Sequence, residues 1–484
     1  MFGRPSNGFV TITEEHLGLL SSTMASDDTS FSRRRFVKVT STGTLLALAG
    51  CTGDGGDGGG DGGDGGSDGG DGGSDGGDGG DGDDGGSDGG DGGSSAELEV
   101  LHGWTGGDGA TAADALESAF NEAHPDVNLN FNPIGGGGNQ NLDAVVANRL
   151  QNNNPPGSFA NWPGKNLQRY EGVLGQVGDV WDENDFSDVM VEEAVDLHQY
   201  NGAFRAVPLG SHRLNCLFYN TAVVEEAGVD PSSLTSVDAL MSALETVASE
   251  TDAVPMTQGM SGTWTTTQLW ASIMLGKEGF DAYTNFIEGN PDRAAVQSAF
   301  ESLRTILRNH INEDAASIGL TESNQNIIQG NAAFIHQGNW AAGAFRNAEG
   351  FNYNEDWGFK TFPGTEGMYM LHFDSFLYPS NNPTPELSKT FLSFVGSQEA
   401  QIAFNQYKGS IPTRTDVDMS EFGPYLQETA EDFANADQRP PTLQHGLAVT
   451  SQKMTALNDV ISSEFTGPYN VEAATDGFVN AVSN

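Results

Sequence analysis

Residues 329–345 read QGNAAFIHQGNWAAGAF, residues 362–379 read FPGTEGMYMLHFDSFLYP, and residues 388–414 read SKTFLSFVGSQEAQIAFNQYKGSIPTR. In each piece an apolar run breaks on a short polar-aromatic signature: GNWAAG, DSF and YKGSIP. The breaks put Trp340, Asp374 and Lys408 at the ends of elements, where loops held by a rigid scaffold carry function.

Upstream, the pattern gives the fold class. Leu98 and Val100 alternate as in a strand, Leu116, Ala119 and Phe120 share one helical face, and Val127, Leu129 and Phe131 alternate again. Pro125 separates the helix from the second strand, so the folded part begins β-α-β and an α/β parallel sheet is expected. Between the first strand and the helix lies HGWTGGDG. Ligands of open α/β sheets bind at the carboxyl ends of strands, which makes Trp104 and Asp108 candidates. The glycines at 135–138 are not followed by Gly-Lys-Ser/Thr and read as a turn into a helix over Leu142–Leu150. Asn161-Trp162-Pro163 closes a short strand, and Trp162 reads equally as a stacking platform or a half-buried turn residue.

Further on, Asn201-Gly202 marks a turn, followed by a strand to Pro208 and an apolar strand from Leu214. Thr235 to Ser249 reads as a helix with Leu240, Leu244 and Val247 inward and Thr235 and Asp238 as its start cap. QGMSGTWTTTQLWASIML sets Trp264 in a loop and Gln268 in the first turn of a helix, while Trp270 reads as core or site, with core the preferred of the two. Phe280 to His310 reads as helical packing without a site. His445 lies in QRPPTLQHGLAV, before a last helical region.

Composition narrows the function classes. The 484 residues suffice for more than one domain and carry 67 acidic against 21 basic side chains, a net charge of -46. Such a chain repels nucleic acid and suits a surface solvated at high salt, as in a halophile. The chain's two cysteines are Cys51 and Cys216. Cys216 sits among apolar neighbours and reads as a buried, unpaired thiol. Residues 1–50 read as an export signal: SRRRF at 32–36 is of twin-arginine type and precedes a modest apolar run. Leu48-Ala49-Gly50-Cys51 resembles a lipobox with Cys51 as the lipidated residue, and Met24 rather than Met1 is the expected start. Residues 51–95, almost wholly Gly, Asp and Ser, form an expected disordered tether. Its DGGD repeats lack the apolar positions of calcium-binding coils. His212, His336 and His372 lack metal-ligand spacing, so neither metal nor cofactor is expected.

The order GNWAAG, DSF, SQEAQIAF, YKGSIP resembles the family 1 extracellular solute-binding proteins, the sugar receptors of ABC importers, and among them most the glucose/galactose-binding group. The likeness spans roughly residues 97–455. It implies a two-lobed α/β fold with a central sheet flanked by helices in each lobe and the ligand between them. Residues 96–210 and 363–412 would form lobe 1, and residues 211–362 and 413–484 lobe 2. The crossovers would lie within Tyr200–Asn220, near Trp357–Pro363 and near Lys408–Pro412. Trp340, Asp374, Lys408 and His445 match sugar-contacting positions of that group; Trp104 with Asp108, and Trp264 with Gln268, match more loosely. The chemistry agrees, because indoles offer flat apolar faces for the C–H side of a sugar, and carboxylate, amide and ammonium groups pair its hydroxyls. Trp104, Asp108, Asp374 and Lys408 are expected in one lobe and Trp264, Gln268, Trp340 and His445 in the other.

The resemblance further implies a lipid-anchored monomer on the extracellular side of the membrane. It would deliver a monosaccharide to a permease with a cytoplasmic ATPase by hinge closure. Alternatives are a larger sugar or polyol, or a sugar-binding surface protein outside transport. Asp108 and Asp374 could also be imagined as a glycosidase pair, but no nucleophile motif supports an enzyme. Asp374→Ala or Lys408→Ala is expected to abolish binding at a stability cost of no more than about 0.5 kcal/mol.

Overall fold

The first alternating stretches do form paired strands. In a computed structural model that describes residues 96–107, 109–136 and 139–483, β1 (Glu97–His102) and β2 (Asn128–Pro133) run parallel, joined by the helix Ala110–Ala123. The export segment, Cys51, the tether and Asp108 lie outside the described residues. The remaining described strands are β3 (Ser158–Asn161), β4 (Gln199–Tyr200), β5 (Ala203–Phe204), β6 (Ala206–Arg213), β7 (Cys216–Asn220), β8 (Val254–Met256), β9 (Ala332–Gln337), β10 (Trp357–Thr361) and β11 (Leu371–Leu377).

Two sheets result. The first has the order β2-β1-β3-β11-β6 and the second β10-β7-β9-β8, while β4 and β5 make a small hairpin. Asn201 and Gly202 turn that hairpin with φ of 53° and 74°, the left-handed geometry tight hairpins require. The chain passes from the first sheet to the second between β6 and β7, and back between β10 and β11. The last expected crossing comes later than Lys408–Pro412. Ile411 still pairs with Ser211 of β6, and Thr415 N–H still donates to Val189 O. The helix Pro424–Asn435 packs on the second sheet, where Tyr425 meets Phe218, Trp357 and Phe359.

Each sheet is covered by helices through aromatic clusters. In the first, Phe391 packs on Phe131 and Phe376 of the sheet and on Phe120 of the neighbouring helix. In the second layer the helix Arg293–Asn309 buries Val296, Ala299, Phe300, Leu303, Ile306 and Leu307 at helical spacing, and Phe300 packs on Trp270 and Phe478. Full burial of each such ring stabilises by about 1.5–3 kcal/mol. Trp270 is core, as expected. Cys216 is also buried and unpaired, and burial pushes its thiol up to about 12. The helix expected from Thr235 runs Val237–Glu250, and its cap is Ser236, whose hydroxyl accepts from Ala239 N–H at 3.1 Å. Thr235 and Asp238 flank a better-placed oxygen.

Asp374 departs from the expected element end. It lies in the middle of β11, where the register against β6 shifts between Asp374 and Ser375. Pairing steps from Asp374–Gly210 to Ser375–Pro208, so Leu209 of β6 is the extra residue, and such an irregularity kinks the strand pair beside the buried carboxylate.

Candidate functional site

Strand alternation sets the floor of the site. His372 and Asp374, two residues apart on β11, share one face, and His212 of β6 pairs directly with His372. His212 Nε2 lies 3.0 Å from Asp374 Oδ2, and His372 Nε2 lies 3.6 Å from Oδ1. His212 Nδ1 contacts Asn339 Oδ1 at 2.6 Å, joining β11 in the first sheet to the turn after β9 in the second. Trp340 follows in that turn, its indole N–H donating to Gln337 Oε1 at 3.2 Å.

These groups open onto a cavity of about 400 Å³. Of the sequence candidates, Trp104, Trp162, Trp264, Trp340, Asp374, Lys408 and His445 line it. Trp104 gives it little surface, since its ring packs on Phe376 and Phe404. Trp162, Trp264 and Trp340 surround His445, with ring centroids 4.5, 6.3 and 5.4 Å away. Trp104, Asp374 and Lys408 are borne by elements on the side of the first sheet, and Trp264 and Trp340 by elements on the side of the second. His445 lies on a segment that touches both: Thr442 N–H donates to Leu371 O of β11, and Pro441 O accepts from Tyr283. Gln268 does not reach the cavity. One turn beyond Trp264, on a helix whose residues 265–275 are all buried, it points into the interior. Neither of its amide atoms has a hydrogen-bond partner among the described residues.

Sequence reading missed His212 and His372 as site residues, weighing them only as metal ligands. The signal was present in SHR and HFD, polar residues that interrupt otherwise apolar strands, consecutive in the first and alternating in the second. It also missed Asn139, Ser261, Ser317, Thr321 and Glu322, which line the cavity from loops and helix starts that carry no periodicity. Arg346 was missed too: its guanidinium donates to Lys408 O at 2.8 Å and Gln406 O at 2.6 Å, tying the YKGS loop to the helix after Trp340. Gly409 fits there because a Cβ would collide with the carbonyl of Asn339.

Electrostatically the floor is one carboxylate ringed by imidazoles. Burial alone would raise Asp374, but the His212 charge and hydrogen bond, with His372 and Lys408, hold it well below the usual carboxylate range. Burial lowers His372 to about 4, and burial with the neighbouring His372 keeps His445 well below its ordinary value. His445 also holds φ of 76°, an uncommon conformation for a residue with a Cβ, so its ring orientation is imposed by the fold. The cavity thus offers indole faces, an ionised carboxylate and ring nitrogens, a set suited to a neutral polyhydroxylated ligand.

A family model described as bacterial extracellular solute-binding protein matches residues 115–433. The chain belongs to this family. The xylose/arabinose-binding protein XacG of Haloferax volcanii is 54% identical over 459 residues, covering 95% of this chain and 99% of that relative. Among solved structures, a chitin oligosaccharide binding protein superposes with a TM-score of 0.70 at 19% identity, covering 80% of this chain and 98% of its own. Maltose-bound T. maritima MalE3 superposes at 0.64 with 16% identity and the same 80% coverage, 98% of its own. At such identities these two speak for the fold alone, which is the two-lobed α/β architecture of binding proteins. The expected likeness to a glucose/galactose group is corrected, since the relative at 54% is named for pentoses. This solute-binding protein is not an enzyme, which disposes of the glycosidase alternative, and the family places it outside the cell. The Haloferax relative accords with the acidic, halophile-type composition.

Proposed function

We propose that this solute-binding protein captures a neutral monosaccharide, an aldopentose such as xylose or arabinose, and delivers it to the permease of an ABC importer. The observation that carries this reading is the convergence of Trp162, Trp264 and Trp340 with Asp374, Lys408 and His445 on one cavity. The name of the relative at 54% supports a pentose as cargo. In this reading the indoles take the C–H faces of the ring, Asp374 accepts from two neighbouring hydroxyls, and Lys408 and His445 supply further hydrogen bonds.

Capture works by hinge closure of lobes with the boundaries expected from sequence, except that the last crossing follows Thr415. The Arg346 clamp and the His212–Asn339 contact, both spanning the two sheets, support a closed state held by ties that a ligand strengthens. In the same reading the protein acts as a monomer anchored through lipidated Cys51. Calorimetry in high salt against xylose, arabinose, glucose, galactose and their disaccharides tests the cargo. Binding of xylose or arabinose in preference to the hexoses is expected, and absence of any pentose heat ends the reading.

A further inference from the structure

A carboxylate serves a ligand well only when the side chains behind it hold its two oxygens in one orientation. For Asp374 that hold comes from His212. The ring is 1% exposed and directs Nε2 at Asp374 Oδ2 across 3.0 Å, whereas His372 Nε2 stands 3.6 Å from Oδ1, beyond hydrogen-bond range. The far side of the His212 ring is held as well: Nδ1 lies 2.6 Å from Asn339 Oδ1, and Trp340 packs edge-on at 5.4 Å between ring centroids. Asn339 is itself fixed. It is fully buried, its N–H donates to Arg213 O at 2.8 Å, and its carbonyl accepts from Ala342 N–H at 3.1 Å.

The position of the protons follows from these contacts. A neutral ring protonated on Nδ1 would set an Nε2 lone pair against the ionised carboxylate, which is repulsive. Nε2 therefore carries a proton. Nδ1 either carries a second one for Asn339 Oδ1 or accepts from the amide turned over, whose Nδ2 has no hydrogen-bond partner among the described residues. In both arrangements Nε2–H donates to Asp374.

We propose that His212 is a positioning residue for ligand capture: anchored on Asn339 from the side of the second sheet, it donates Nε2–H to Asp374 and leaves the other lone pairs of the carboxylate to the cavity. The inference rests on the sugar-binding reading of that cavity. The acceptor offered from one side of the cleft then depends on a side chain from the other. His212 also lines the cavity, so the rival is a direct contact between its ring and the sugar.

A double-mutant cycle on the full chain in high salt, read by titration calorimetry with xylose, separates the two. His212→Leu should weaken xylose about 30-fold, and His212→Gln, which retains a donor near the Nε2 position, should recover most of that loss. Asn339→Ala should cost about five-fold through the ring it no longer anchors. With Asp374→Ala as background, at millimolar xylose, neither His212→Leu nor Asn339→Ala should add more than about two-fold, because the group they position is gone. The full 30-fold loss persisting in that background means direct contact and overturns the proposal. A lowered Tm with wild-type affinity in His212→Leu makes the residue merely structural and overturns it too. If His212→Leu misfolds, Asn339→Ala carries the cycle. Histidine-selective 15N labelling gives a reading that needs no ligand: at pH 7 the His212 signal, assigned by its absence from His212→Gln, should show a protonated Nε2, and an Nδ1–H tautomer overturns the proposal. Failure of xylose to bind the wild type sinks the pentose reading instead, and the ring nitrogens still report on His212.

Discussion

Removing the Asp374 carboxylate should cost both affinity and folding stability. The group is 7% exposed, accepts from His212 Nε2 at 3.0 Å and lies near His372. A hydrogen bond to a charged group contributes about 1.5–3 kcal/mol, and Asp374→Ala also strands a buried His212 nitrogen, so a loss of roughly 2–4 kcal/mol is expected. For a body of this size that is about 2 °C in Tm per kcal/mol, or a fall of about 4–8 °C. The sequence-level figure of about 0.5 kcal/mol belongs to a loop residue, and Asp374 is instead a paired group inside a buried strand. Asp374→Asn keeps the shape and one acceptor, so its cost should be about half as large. On the ligand side, a carboxylate that accepts from two hydroxyls loses about 3 kcal/mol on neutralisation or removal, more than 100-fold in Kd. Scanning calorimetry with and without pentose, in salt high enough to screen the acidic surface, reads both. A Tm for Asp374→Ala within about 1 °C of wild type would refute the buried pairing, and wild-type affinity in Asp374→Asn would refute the ligand role.

Gly409→Ala should weaken pentose binding about ten-fold by wedging the YKGS loop off Asn339, as overpacking by one methyl typically costs 1–3 kcal/mol; unchanged affinity by calorimetry removes the close approach from the mechanism. Arg346→Ala should loosen the same loop, raising its amide hydrogen exchange at Gln406–Lys408 while the β1–β2 strands keep theirs; uniform protection in both regions counts against the clamp. Acid should destabilise the protein below pH 6.5. Burial holds His102 and His372 at about 4 and His198 and His336 at about 3. The unfolded chain therefore takes up protons first, and stability is lost as pH falls from about 6.5 toward those values, by up to about 1.4 kcal/mol per pH unit for each histidine. The opposing relief of acidic repulsion is long-range and screened by salt, so Tm in high salt should fall steadily from pH 6.5 to 5; a flat profile contradicts neutral burial of these rings.

The parts of the fold legible in the sequence are those fixed by local pattern. Leu98 and Val100, the face of Ala110–Ala123 and the turn at Asn201-Gly202 each declare their element through periodicity or backbone preference. The candidate site was legible where a polar or aromatic residue interrupts such a pattern: Trp162, Trp264, Trp340, Lys408 and His445 all line one cavity. Gln268 misled because helical position was read without depth: the helix Trp264–Ile287 enters the interior within one turn, so its fifth residue is beyond the cavity. His212, Asn339 and Arg346 could not be read in advance, because their meaning lies in pairings at long sequence separation. His212 meets Asp374 162 positions away and Asn339 127 away. A register between β6 and β11 and a bulge beside Asp374 decide whether those groups face one another. Neither leaves a trace in either segment alone. What distinguishes a cavity lined by the right residue types from one that works is therefore set by the least local part of the chain, the seam between its two sheets, and substitutions along that seam should alter affinity more than substitutions of equal size within either sheet.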